Sequence, residues 1–107
     1  MGASKEDVQR LRLILVCPKK SLKLLLKKLP KSTIKCISEC CLNTLKGNIP
    51  ITLHQKRKLA QHKHTLRKLS DKKVSLKKKR NLIIQKGGFL FTLLPAAVSV
   101  LSTLLNK

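Results

Sequence analysis

Four cysteines, three histidines and four carboxylates are the residues of this 107-residue chain that could do chemistry. Cys36 and Cys40 lie one helical turn apart and could face one metal ion, with His54, His62 and His64 downstream. Their C-x3-C-C spacing is not the paired C-x2-C of a tetrahedral zinc site, and no second tight pair completes one. Adjacent Cys40 and Cys41 would point to different faces of a helix. No secretory signal is read in the sequence, so an oxidising compartment is not expected. Cys17, Cys36, Cys40 and Cys41 are therefore expected to behave as small apolar side chains, with no metal and no cofactor. Glu6, Asp7, Glu39 and Asp71 are scattered, and no nucleophile stands with a base and an orienting group. The chain is not expected to be an enzyme.

What remains is charge. Twenty-five Lys and Arg against four acidic residues give a formal charge of +21. Such a chain attracts polyanions: nucleic acid, acidic lipid or an acidic protein. Residues 56–86 are the densest part, with thirteen basic side chains against Asp71 alone. The candidate phosphate contacts are Lys56, Arg57, Lys58, Lys63, Arg67, Lys68, Lys72, Lys73, Lys77, Lys78, Lys79 and Arg80. Most are lysines, which attract phosphate as point charges without bidentate recognition, so no base reading is expected. Base-stacking modules are excluded, because Phe89 and Phe91 are the only aromatics apart from the histidines. A simple basic tail is excluded too, since 42% of residues are apolar. The histidines within the basic stretch are expected to be solvated members of the same surface.

The elements that must carry these cations are helical. Residues 1–7 are expected to be frayed, and residues 7–16 to form a short helix or a buried strand stopped at Pro18. Leu22, Leu25, Leu26 and Leu29 fall at the one-face spacing of an amphipathic helix over 21–29, ended by Pro30. A second helix over 33–46 carries Ile34, Ile37, Cys41 and Leu45 on one stripe and stops at Gly47. The short joint between these two predicts an antiparallel helical hairpin. Thr52-Leu53-His54-Gln55 matches a capping box, opening a helix from Leu53 to about Leu69. Ser70-Asp71 breaks it, a further basic helix covers about 73–85, and Gly87-Gly88 ends that one.

The expected architecture is thus all-α: an N-terminal hairpin region over 1–50, a polybasic region of two helices over 51–86, and an apolar tail over 87–107. Self-repulsion should leave the free chain loose and partly disordered. Residues 89–106 carry no charge, and Pro95 interrupts them. This length is marginal for spanning a bilayer. Three fates are open: a core helix, a helix docked on a partner protein, or a membrane helix contacting lipid through Phe89, Leu90, Phe91, Leu93, Leu94, Val98 and Leu101. The last makes the chain a membrane-active or membrane-anchored cationic protein. In that case removing residues 87–107 should abolish lipid binding and leave DNA binding largely intact.

The join of Lys77-Lys78-Lys79-Arg80 with Gln85-Lys86-Gly87-Gly88-Phe89-Leu90 and Leu93-Leu94-Pro95-Ala96-Ala97 resembles the precursor of the adenovirus core peptide mu. There too a basic DNA-condensing segment meets Gly-Gly and then a hydrophobic tail. The join is similar as well to small reading frames of polintons, the adenovirus-like Maverick transposons. The resemblance covers roughly residues 56–105. It implies a virion core protein that compacts double-stranded DNA (with RNA the other candidate polymer), found in the nucleus or a virion-like particle. It also implies a capsid protein or membrane as neighbour, and a viral-type cysteine protease cleaving after Gly88, with Gly87 and Gly88 as the processing site. Gln85 stands where that motif has Met, Leu or Ile, and lysine predominates where mu has arginine.

Overall fold

Ser4 opens the first helix. Its hydroxyl accepts from the Asp7 backbone N–H at 3.1 Å, while the Asp7 carboxylate accepts from the Ser4 N–H at 3.5 Å. This reciprocal cap starts helix α1 at Lys5–Val16, so the expected fraying does not extend past Ser4 and the strand alternative falls away. The computed structural model describes residues 3–105; Met1, Gly2, Asn106 and Lys107 lie outside the described residues.

Two prolines shape the next two helices. Cys17 is extended ahead of Pro18, and Leu29 is extended ahead of Pro30, as the ring of a following proline demands. Each proline then leads directly into a helix, α2 at Lys19–Lys28 and α3 at Lys31–Leu45. The expected hairpin does not form. With only Leu29 and Pro30 between them, and Leu29 extended, α2 and α3 turn a corner instead of reversing. The neighbours of α2 are α6 and α1, whereas α3 packs on α5, α6, α1 and α7.

Gly47 ends α3 in the left-handed conformation (φ +78°), with the Asn48 N–H returning to the Asn43 carbonyl at 2.8 Å. Thr52 and Gln55 exchange capping bonds of 3.1 and 2.9 Å, which starts α4 at Leu53–Ala60 as its sequence predicts. The helix expected to run on to Leu69 breaks at Gln61 and His62, and α5 covers Lys63–Ser70. Neither glycine nor proline marks this break. It arises because α4 packs on α7 while α5 packs on α3, so one straight helix could not serve both. Helix α6, Leu76–Lys86, does not stop at the glycines. It passes through a single 3-10 turn, Gly87–Phe89, into α7 at Leu90–Leu105, which runs through Pro95. Pro95 is exposed, as is Phe91, whose carbonyl loses its helical donor to the proline ring.

The fold is all-α among the described residues. Its core is built around α7, whose Leu90, Leu93, Leu94, Ala97, Val98 and Leu101 are buried against α1, α3 and α4. Val8, Leu11 and Ile14 of α1 and Ile34, Ile37, Cys40 and Cys41 of α3 belong to it, with Leu26, Leu59, Leu66, Leu69 and Ile83 from the helices around them. The regions 1–50, 51–86 and 87–105 interleave: α1 lies on α7, α2 on α6 and α3 on α5. The radius of gyration is 12.7 Å, close to the ~13 Å of a compact domain this long.

Asp7 has a second task. Buried at the start of α1, it accepts from Thr33 Oγ1 at 2.8 Å and Ser32 Oγ at 3.0 Å, which ties α1 to the start of α3. Burial raises its pKa, but the hydroxyls of Thr33, Ser32 and Ser4 lower it more, so it titrates below its ordinary 3.8. A carboxylate with a depressed folded pKa contributes stability that is present above the unfolded value and fades as pH falls through the folded one. Asp7→Asn should therefore cost about 2 kcal/mol at neutral pH. In urea unfolding followed across pH 2 to 7, the parent should converge on the variant below about pH 4.

Candidate nucleic-acid interface

The amphipathic pattern of each helix decides where its cations point. In α4, Leu59 turns inward and Lys56, Arg57 and Lys58 outward. In α5, Thr65, Leu66 and Leu69 are buried, leaving Lys63, Arg67 and Lys68 in solvent. Lys72 and Lys73 are exposed on the connection to α6. Asp71 shapes that connection by accepting from the Lys73 N–H at 2.9 Å. Ser75 caps α6 by accepting from the Lys78 N–H at 3.2 Å, and Lys77 and Lys78 stand outward in its first turn.

Lys79 and Arg80 depart from the expected set. Lys79 is only 5% exposed. Its Nζ lies 2.8 Å from Ser38 Oγ, and the Ser38 hydroxyl donates to the Leu69 carbonyl in the last turn of α5. Arg80 Nη1 donates to the Leu26 and Lys27 carbonyls at 3.2 and 3.1 Å, at the end of α2. A helix C-terminus carries partial negative charge and unpaired carbonyls, which a cation satisfies. Lys79 is thus engaged with Ser38 of α3 and Arg80 with the end of α2, and ten of the twelve candidates remain in solvent.

Folding also recruits cations that the sequence had not marked. A cleft of about 410 Å³ between α3 and the α5–α6 connection is lined by Lys35 of α3 with Lys72, Lys79, Ser70, Ser75 and Glu39 among others. A second depression of about 420 Å³ across the same connection brings Lys68 and Lys78 together with Asn81 and Gln85. The packing of α2 on α6 adds Lys27 and Lys28 near the Arg80 contact. The candidate face is therefore centred on Lys68, Lys72 and Lys78, which line the two clefts, with the exposed Lys73 and Lys77 next to them in the chain and Lys35 beside them. Lys56, Arg57 and Lys58 share neither cleft; their helix sits on α7. Which faces meet in space leaves no trace in local spacing, and this is why Lys35 could not be read from the sequence.

The helix starts reinforce the charge. Lys19, Lys31 and Lys63 open α2, α3 and α5, Lys77 and Lys78 sit in the first turn of α6, and no helix after α1 has an acidic residue there. Cations at the positive end of a helix dipole are unfavourable by about 0.3–1 kcal/mol each when unscreened. An anion bound there would relieve this cost.

The other candidate residues lie elsewhere in the fold. Gly87 and Gly88 lie in the 3-10 turn, with the following Phe89 wholly buried, so a protease needing an extended substrate would have to open this joint. Of the seven residues assigned to lipid contact, Phe91 is 41% exposed, while Phe89, Leu90, Leu93, Leu94, Val98 and Leu101 are in the core. Cys36, Cys40 and Cys41 are buried and Cys17 is half-buried. Burial pushes the Cys41 thiol up to about 12, and contact with Cys36 together with burial raises Cys40, so neither is a ready nucleophile. No group of metal-ligating side chains gathers among the described residues. His54 and His64 are exposed, but His62 is half-buried with its ring 6.1 Å from that of Phe89.

Comparison with known proteins brings no relative: no family model, curated protein or solved structure matches the chain.

Proposed function

We propose that the chain binds nucleic acid through its phosphate backbone, without base specificity, and serves to neutralise and condense it. The observation that carries this reading is the lack of internal use for the charge. Among the described residues the one ion pair is Arg10–Asp7 at 3.4 Å. Among the described residues, the cations from Lys56 to Lys78 are exposed and have no acidic partner within bonding distance. Side chains that stabilised this fold would be expected to pair with carboxylates; these repel one another, and Lys63, Lys77 and Lys78 also stand at the positive ends of α5 and α6. Double-stranded DNA is the favoured polymer, in keeping with the resemblance to virion core proteins, and a nucleus or virion-like particle is the corresponding location.

Counterion release supplies the test. If about half of the ten exposed candidates engage duplex DNA, a plot of log K against log salt should have a slope of about −4 to −5. Binding to fluorescent duplexes of unrelated sequence, titrated over a range of potassium chloride, should give one common slope. A slope near zero would remove the proposal.

Membrane anchoring through the tail is the alternative. One continuous helical stretch, Leu76–Leu105, is long and apolar enough to cross a bilayer by length and composition alone. Using it would require the buried face of α7 to leave the core.

A further inference from the structure

The large apolar side chains most exposed to solvent on the N-terminal helices gather at one corner. Leu13 is 51% exposed, Val16 76% and Leu24 55%. With Pro18, Leu25 and the stem of Lys28 they border an apolar depression of about 440 Å³ where the end of α1 meets α2. These residues are not fraying ends: Val16 closes α1 and Leu24 lies in the middle of α2. The α1–α2 contact holds them together.

The charge around this corner is of one sign. Lys19, Lys20, Lys23, Lys27 and Lys28 of α2 and Arg12 of α1 are all exposed, and no acidic residue occurs between Asp7 and Glu39. An exposed apolar patch collared by cations is the surface of a helix that lies in a lipid interface. The apolar side chains enter the acyl boundary, while lysine stems snorkel back to the headgroups.

We propose that the α1–α2 corner docks on an anionic lipid bilayer, with Leu13, Val16 and Leu24 entering the interface and the α2 lysines meeting the headgroups. Charge complementarity selects this occupant. A second copy of the chain would press the two lysine collars together across a symmetric contact, which a +21 protein disfavours. An acidic protein would need carboxylates placed to match the cations spread around this apolar patch, whereas a fluid anionic surface matches any such arrangement. The proposal is separable from the nucleic-acid reading, because Leu13, Val16 and Leu24 are not phosphate contacts and, of the α2 lysines, only Lys27 and Lys28 border that face. It also differs from tail insertion, because α7 stays packed.

The absence of Trp and Tyr gives a clean test in the full chain. Val16→Trp reports on the corner, Leu24→Trp repeats the report on α2 should the first variant misfold, and Leu104→Trp reports on the tail from a site that is 44% exposed. With vesicles of phosphatidylcholine containing about a third phosphatidylserine, the corner reporters should shift to the blue and be quenched by shallow brominated lipid. Leu104→Trp should stay unchanged, and pure phosphatidylcholine should move none of them. The triple variant L13S/V16S/L24S should lose at least tenfold in affinity for the anionic vesicles while keeping parental circular dichroism and DNA binding. A blue shift confined to Leu104→Trp would overturn the proposal in favour of the tail. Parental vesicle affinity in the triple variant would overturn it in favour of charge alone. A corner shift elicited by polyglutamate but not by vesicles would overturn it in favour of an acidic protein partner.

Discussion

Phe89→Ala is expected to destabilise the protein by about 3–5 kcal/mol, a large share of the ~5–15 kcal/mol that holds a domain together. Phe89 is the largest of the wholly buried side chains. It sits in the turn that passes α6 into α7, and its ring lies 6.1 Å from the His62 ring at the break between α4 and α5. Two chain joints thus meet on one side chain. Truncation would leave a cavity at both, in a domain too small to redistribute the loss. Phe91→Ala, 41% exposed two residues on, should cost less than about 1 kcal/mol. Urea midpoints of the two variants measure the contrast directly. If the tail were a membrane helix loosely tethered to a separately folded body, both substitutions would leave the midpoint unmoved.

Burial of the tail also alters the expected result of deleting it. On sequence alone, removing residues 87–107 separates lipid binding from DNA binding. In the fold it removes Phe89, Leu90, Leu93, Leu94, Ala97, Val98 and Leu101 from the core. The remainder would lose the surface on which α1 and α4 pack, so the deletion would report on folding and not on function. Point substitutions at exposed sites are the informative ones.

Legibility in the sequence stops at what is local. The Thr52–Gln55 cap, the left-handed stop at Gly47 and the Pro18 and Pro30 boundaries all depend on residues within a turn of one another, and each is present in the fold. The Ser4–Asp7 cap is equally local but less legible, with Asp in the place usually taken by Glu or Gln. Which faces meet is not legible at all. The break at His62 has no local cause; α4 and α5 separate because they serve different partners. Gly87-Gly88 has the composition of a stop, yet among the described glycines only Gly47 has a positive φ, and at Gly87 and Gly88 the chain turns helically into α7. Lys79 and Arg80 carry the same charge pattern as Lys77 and Lys78. Their inward turn is decided by Ser38 of α3 and the end of α2 lying beside α6, a fact of tertiary packing alone.

That difference within four consecutive residues yields the sharpest test of the candidate face. Replacing Lys68, Lys72, Lys73, Lys77 and Lys78 with glutamine should lower duplex affinity at least hundredfold near 0.1 M salt. Each phosphate neutralised is worth about eightfold there, from a slope change of about 0.9 per phosphate extrapolated to 1 M, so removing two to three such pairings suffices. Stability should hold or rise, because five mutually repelling exposed charges are removed and no ion pair is broken. Arg80→Met should do the reverse. It should cost about 1.5 kcal/mol as the Leu26 and Lys27 carbonyls lose a charged donor, and it should leave the salt slope where it was. Lys79→Met should change neither quantity much. Burial already holds that ammonium below the ordinary lysine pKa of 10.5, with Asp71 and Cys41 offsetting part of the effect. The Ser38 hydroxyl can also keep its bond to the Leu69 carbonyl without Lys79. A folded pKa below the unfolded one means stability rises with pH between the two values. The parent should therefore gain on the Lys79→Met variant as pH is raised toward 10.5. Were Lys79 and Arg80 phosphate contacts after all, each substitution would lower the magnitude of the slope by about 0.9, a change that unfolding midpoints and binding isotherms together resolve.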